Sequence, residues 1–132
     1  MKIRRKAFAL AGAVAAASVL FPAPAANAAA YQCDRYLLCL YDYTDGTGRF
    51  YAGSADCNTL IDIGRSGRGD RASAFYNNGN RHVLLLNWHA KWNEWRVVYP
   101  ALPGDKGTLV GYGNNEVDAV SYGCGRFYDP DS

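Results

Sequence analysis

Asp70-Arg71-Ala72-Ser73-Ala74-Phe75, laid over Asn115-Glu116-Val117-Asp118-Ala119-Val120, decides how this chain reads. Working outward from those two stretches, Leu40-Tyr41 falls on Leu86-Asn87 and Arg49 falls on Trp95, so the halves recur at a spacing of about 45 residues. An internal repeat of that length is two similar sets of strands. No stretch beyond residue 28 holds a 3.6-residue apolar period long enough for a helix, whereas β-branched and aromatic runs recur between glycine and asparagine clusters. The expected strands are Leu37–Tyr43, Gly48–Ala52, Leu60–Ile63, Ala72–Asn77, His82–Trp88, Glu94–Tyr99, Thr108–Tyr112 and Val117–Tyr122. Asp45-Gly46 is expected to join the first two, and Asn78-Gly79 to make a tight hairpin turn through positive φ angles. Pro100, Pro103 and Gly104 are expected to open a longer connection in the second half. The class is all-β: two four-stranded antiparallel units, each with a long connection after its second strand, packed as paired Greek keys in a β-sandwich. The first unit spans about 37–79 and the second about 80–124.

The chain is 132 residues long, and residues 1–28 read as a secretory signal that is removed. Lys2, Arg4, Arg5 and Lys6 make a basic start, Ala7 to Phe21 is apolar, and Ala26-Asn27-Ala28 offers small residues at the cleavage position. The apolar run is too short and too alanine-rich for a membrane span. One domain, 29–132, is therefore expected outside the cell, with no membrane partner. Four of the 14 basic residues leave with the signal while all 12 acidic ones stay, so the product is mildly acidic. Nucleic acid and anionic lipid lose their electrostatic support as partners. A monomer is expected.

All four cysteines, Cys33, Cys39, Cys57 and Cys124, lie beyond the cleavage point. An even count in a small secreted chain points to two disulfides, and their spacings lack the paired intervals of a zinc site. Three pairings are possible. The favoured one joins Cys33 to Cys39 as a small clip and Cys57 to Cys124 as a long closure worth about 4 kcal/mol in the chain-entropy model.

Tyr41-Asp42-Tyr43-Thr44-Asp45-Gly46-Thr47-Gly48, followed by Asp70-Arg71-Ala72-Ser73, resembles the βγ-crystallin Greek-key signature of aromatic, four residues, aromatic, one residue, glycine and a late serine. Tyr41, Gly48 and Ser73 fit, while Gly46 stands where the second aromatic is usual. In the second copy Trp92 fits, and Asn87, Glu94 and Asp118 replace aromatic, glycine and serine. With the signal and the Cys33 to Cys39 pair, the arrangement resembles the secreted bacterial peptidase inhibitors typified by the Streptomyces metalloproteinase inhibitor. That resemblance implies a βγ-crystallin-like fold and an extracellular protease as partner, first a thermolysin-like zinc protease blocked by an inserted loop. It places the loop at Trp88 to Trp95, with Trp88, His89, Lys91, Trp92 and Trp95 as the contact residues. The founding inhibitor closes its loop with a disulfide in the second half. This chain has no cysteine between Cys57 and Cys124.

Other readings remain open beside inhibition: a structural or calcium-binding crystallin-type module, and a cell-wall or carbohydrate-binding protein. The tryptophan segment is either core or a contact patch, since large rigid aromatics dominate binding hot spots. Calcium candidates are Asp70 and Ser73 in the first copy and Asn114, Asn115 and Asp118 in the second, although Ca²⁺ needs six to eight oxygen ligands. The alternative is a turn held by Asx hydrogen bonds. No cofactor is expected. Gly64, Gly67 and Gly69 make a flexible loop that Arg65, Arg68 and Arg71 keep solvated. An enzyme is not expected: the only histidines are His82 and His89, and no Gly-x-Ser-x-Gly or His-Glu-x-x-His is present.

Overall fold

Leu38-Cys39-Leu40-Tyr41 alternates between two buried faces, and that alternation sets the whole arrangement. In the computed structural model, which describes residues 29–124, this stretch is strand β1 (Leu38–Tyr41). It is followed by β2 (Arg49–Gly53), β3 (Thr59–Asp62), β4 (Ala74–Asn77), β5 (Val83–His89), β6 (Glu94–Ala101), β7 (Lys106–Thr108) and β8 (Ala119–Tyr122). The segment 1–28, read as a signal, lies outside the described residues. The strands form two antiparallel four-stranded sheets, ordered β2-β1-β4-β7 and β3-β8-β5-β6. Each half of the chain therefore puts its first, second and fourth strands in one sheet and its third in the other. All-β, two-layered and disulfide-bonded, the expected class holds, and no helix among the described residues is long and apolar enough to cross a membrane.

Leu38 and Leu40 point between the sheets and meet Phe75, Tyr51, Val83, Leu85, Val120 and Tyr122 in the main core. Burial pushes the Tyr51 and Tyr122 phenols above their ordinary range. They stay neutral and share one hydrogen bond of 3.0 Å, which satisfies both hydroxyls inside the core. On the opposite face of β1, Cys39 and Tyr41 are covered by Tyr31, Cys33 and Leu37. The Cys33–Cys39 disulfide holds that cover down, and the Tyr41 hydroxyl donates to the Gln32 carbonyl at 2.8 Å. The second disulfide, Cys57–Cys124, ties the entry of edge strand β3 to the exit of central strand β8. Both pairings are the favoured ones.

Four local expectations need correction. Asn78-Gly79 is not a hairpin turn, because β4 and β5 lie in different sheets and neither residue has positive φ. The chain crosses there under control of Asn77, which is 1% exposed. Its amide donates to the Arg81 carbonyl at 2.7 Å and to the Ala101 carbonyl at 2.9 Å, while its oxygen accepts the Gly79 N–H at 3.0 Å. Pro100 is inside β6 opposite Leu84; β6 is an edge, where a missing N–H is tolerated. The seventh strand ends at Thr108 rather than Tyr112, because Leu109 is buried in the core and Gly111, at φ 65°, starts a 3-10 turn. The connections after the second strands, 54–58 and 102–105, are short; the long ones, 63–73 and 109–118, follow the third strands. A third strand that has changed sheets needs that length to bring the chain back.

The two stretches that repeat in sequence meet in space at the ends of these long connections. Asp70 N–H donates to the Val117 carbonyl at 3.1 Å and Asn115 N–H to the Ala72 carbonyl at 2.9 Å, so the segments run antiparallel. Asp70 and Asn115 both take left-handed backbone, at φ 55° and 58°, a conformation that Asn and Asp tolerate best among residues with a side chain.

Candidate functional site

Strands β5 and β6 form a hairpin whose tip is Ala90 to Asn93. The Trp92 N–H donates to the His89 carbonyl at 3.2 Å, and Asn93 supplies the left-handed residue at φ 54°. This geometry brings the five expected contact residues together. Trp88 and Trp95 are cross-strand partners, with ring centroids 5.0 Å apart at 62°. Trp95 also packs on the Leu84, Leu86 and Ala119 cluster outside the second sheet, so one tryptophan is largely structural. Trp88 is 38% exposed and Trp92 50%.

Trp92 is nevertheless not loose. The His89 ring stacks on it at 4.1 Å and 22°, and the Arg96 guanidinium lies 3.9 Å from its centroid. Arg96 is itself held by Glu94 at 2.8 Å, and the Lys91 ammonium approaches to 5.4 Å. Stacking and cation-π contacts of this kind are each worth about 0.5–1.5 kcal/mol. Together they fix the tip without a disulfide.

Beneath the hairpin, Asp118 joins three elements. One carboxylate oxygen accepts the Trp88 N–H at 3.0 Å, its own N–H donates to the Leu86 carbonyl at 2.7 Å, and its carbonyl accepts the Gly64 N–H at 2.9 Å. Burial raises its carboxyl above the usual range, the Trp88 N–H works against that, and the nearby Asp70, Asp62 and Glu116 add to it. A Cβ on Gly69 would lie 2.5 Å from the Asp118 carboxylate and would have to displace it. The hairpin is thereby fastened to the loop after β3, a 3-10 turn at Gly64–Ser66 closed by Gly67 in left-handed backbone at φ 74°. All three arginines expected to solvate this loop have partners, Arg65 pairing with Asp62 at 3.3 Å. Arg71 forks onto Asp42 at 3.0 and 2.8 Å, and Arg68 lies over the Tyr51 ring and donates to the Ser66 hydroxyl. Of the three, Arg65 lies furthest into solvent.

The calcium candidates fall into two pairs at the meeting loops. The Ser73 hydroxyl donates to the Asn115 side-chain oxygen at 3.2 Å, while Asp70 acts on Asp118 electrostatically. Asn114 stands apart, exposed at the end of the second 3-10 turn. Among the described residues no group of three or more His, Cys, Asp or Glu is placed to hold a metal ion. Sequence reading missed Asn77 and the joining role of Asp118. In the sequence Asp118 stood out by its alignment with Ser73 and as a calcium candidate, neither of which points to a joining role.

Residues 26–87 match the model of peptidase inhibitor family I36, which supports the family resemblance and a protease as partner. The family is one of inhibitors rather than catalysts, in keeping with a non-enzyme. The match ends one residue before Trp88, so the hairpin tip lies outside it. No curated protein and no solved structure matches the chain.

Proposed function

We propose, from the match to peptidase inhibitor family I36, that the chain blocks proteases by presenting the Trp88 to Trp95 hairpin to the cleft. Thermolysin-like zinc enzymes are the first targets. The observation that carries this reading is Trp92: half exposed at the tip of a hairpin, yet held by the stacked His89 ring and the Arg96 guanidinium. An inhibitory segment must enter the cleft already in its bound shape, so that little conformational freedom is lost on binding. Ring packing supplies here what a local disulfide would supply elsewhere. A bulky apolar side chain at the tip also suits an enzyme that prefers such a residue just after the cut.

The reading includes export with loss of residues 1–28. Two disulfides and no free cysteine among the described residues suit an oxidising extracellular setting. The deciding experiment incubates the purified mature protein at micromolar concentration with thermolysin and a panel of serine and cysteine proteases. Inhibition of the zinc enzyme supports the proposal. If every enzyme in the panel keeps full activity, the proposal fails.

A further inference from the structure

Beside the hairpin runs a groove of about 550 Å³ bordered by Trp88 and Trp95 on one side and Asp62, Gly64 and Arg65 on the other. Gly64 brings no side chain to it, and a Cβ there would lie 3.2 Å from the Asp62 carboxylate. Asp62 stands at its rim and Asp118 behind it, with Asp70 and Glu116 close enough to act on Asp118. The opposing cations are few. Arg68 is turned onto Tyr51, and Arg65 reaches Asp62 at 3.3 Å with 89% of its side chain in solvent. Carboxylates therefore outnumber free cations around a space walled by two indoles.

We propose that this groove receives the side chain of an arginine presented by a partner protein, its guanidinium against the Trp88 and Trp95 rings and forked onto Asp62. Tryptophan is the best aromatic partner for a cation, and a carboxylate matches the planar fork of arginine better than the point charge of lysine. An acidic side chain would meet repulsion from the same carboxylates. Arg65 holds the place in the free protein. Its ion pair is almost fully exposed to solvent and correspondingly weak, so an incoming guanidinium displaces it. The assignment deepens the inhibitor reading, since groove and hairpin share Trp88 and Trp95, but it is measured without a protease.

The test titrates N-acetylarginine amide into the purified protein and follows tryptophan fluorescence and amide shifts. Saturable binding is expected at millimolar concentration, with shifts centred on Asp62, Gly64, Trp88 and Trp95. The neutral isostere N-acetylcitrulline amide should not bind. Asp62→Asn should weaken binding about fivefold. Arg65→Ala, at an exposed position that leaves the fold alone, should strengthen it about twofold by removing the internal competitor. Equal binding of the citrulline compound, no saturation, or an Arg65→Ala variant that binds more weakly overturns the assignment. Loss of protease inhibition with arginine binding intact would instead refute the inhibitor reading alone.

Discussion

The hairpins β1–β2 and β5–β6 stand at corresponding places in the two halves, yet one is covered and the other is bare. At the first tip, Gly46 and Gly48 take left-handed backbone at φ 78° and 70°, and the Tyr31 ring lies so close over Gly46 that a Cβ would sit 2.7 Å from it. The Tyr31 N–H donates to the Gly46 carbonyl at 2.8 Å, and Arg71 braces Asp42 from the far side. At the second tip no segment plays the part of Tyr31 among the described residues, and the aromatic rings belong to the hairpin itself. Glycine at the aromatic position of the first copy is thus accounted for: its place is filled by a ring from another part of the chain. The difference teaches that one hairpin is built into the framework while the other keeps its rings at the surface.

The comparison breaks most severely if Gly46 acquires a side chain. Gly46→Ala should cost about 3 kcal/mol, combining left-handed strain with overlap against Tyr31. Gly104→Ala, at φ 86° with open space around it, should cost about 1 kcal/mol for strain alone. Urea unfolding of both variants checks the gap, and equal losses would mean that Tyr31 does not press on the first tip. Opening the clip should have a smaller effect. Replacing Cys33 and Cys39 together by serine should destabilise by about 2 kcal/mol in the chain-entropy model, while the inhibition constant of the folded fraction stays the same. A matched loss of inhibition would tie the covered hairpin to the contact surface.

For the bare hairpin the expected effect is on binding. Trp92→Ala should weaken inhibition at least tenfold, about 1.4 kcal/mol, while stability falls by about 1–3 kcal/mol, because the half-exposed ring loses its contacts with His89, Arg96 and Lys91. Unchanged inhibition would remove Trp92 from the contact surface and turn attention to the loop from Gly64 to Gly69.

What could be read in the sequence was what depends on local chemistry. Strand existence followed from alternation such as Leu38 to Tyr41, the disulfides from an even count of cysteines in a small chain read as secreted, and the aromatic hairpin from the overlay of the two halves. What could not be read depends on which sheet a strand joins. Asn78-Gly79 has hairpin chemistry, but Asn77 directs its amide to Arg81 and Ala101 and turns the same residues into a crossing. No nearest-neighbour pattern reports a carbonyl 24 positions away. The site shows the same division: its tryptophans were evident, whereas Asp118 reaches the main-chain N–H of Trp88 with its carboxylate and that of Gly64 with its carbonyl, and the main-chain groups it meets carry no sequence signature.

Asp118 gives the mildest expected effect and the finest measure of how the bare hairpin is fastened. Its carboxyl titrates above the ordinary aspartate value, chiefly through burial and further through Asp70, Asp62 and Glu116. The folded protein thus keeps this proton at pH values where the unfolded chain has released it. Between the unfolded value of about 4 and the raised folded one, the folded state binds more protons, so this group's contribution to stability falls as pH rises. Asp118→Asn keeps an oxygen for the Trp88 N–H and removes the charge. The variant should therefore be more stable than the parent at neutral pH, and the two should converge in acid, where the parent carboxyl is already protonated. Thermal unfolding across the acid range checks this. A variant less stable than the parent at neutral pH would show that the charge itself strengthens the bond to Trp88, and the repulsion from Asp62, Asp70 and Glu116 would then be the lesser force beneath the hairpin.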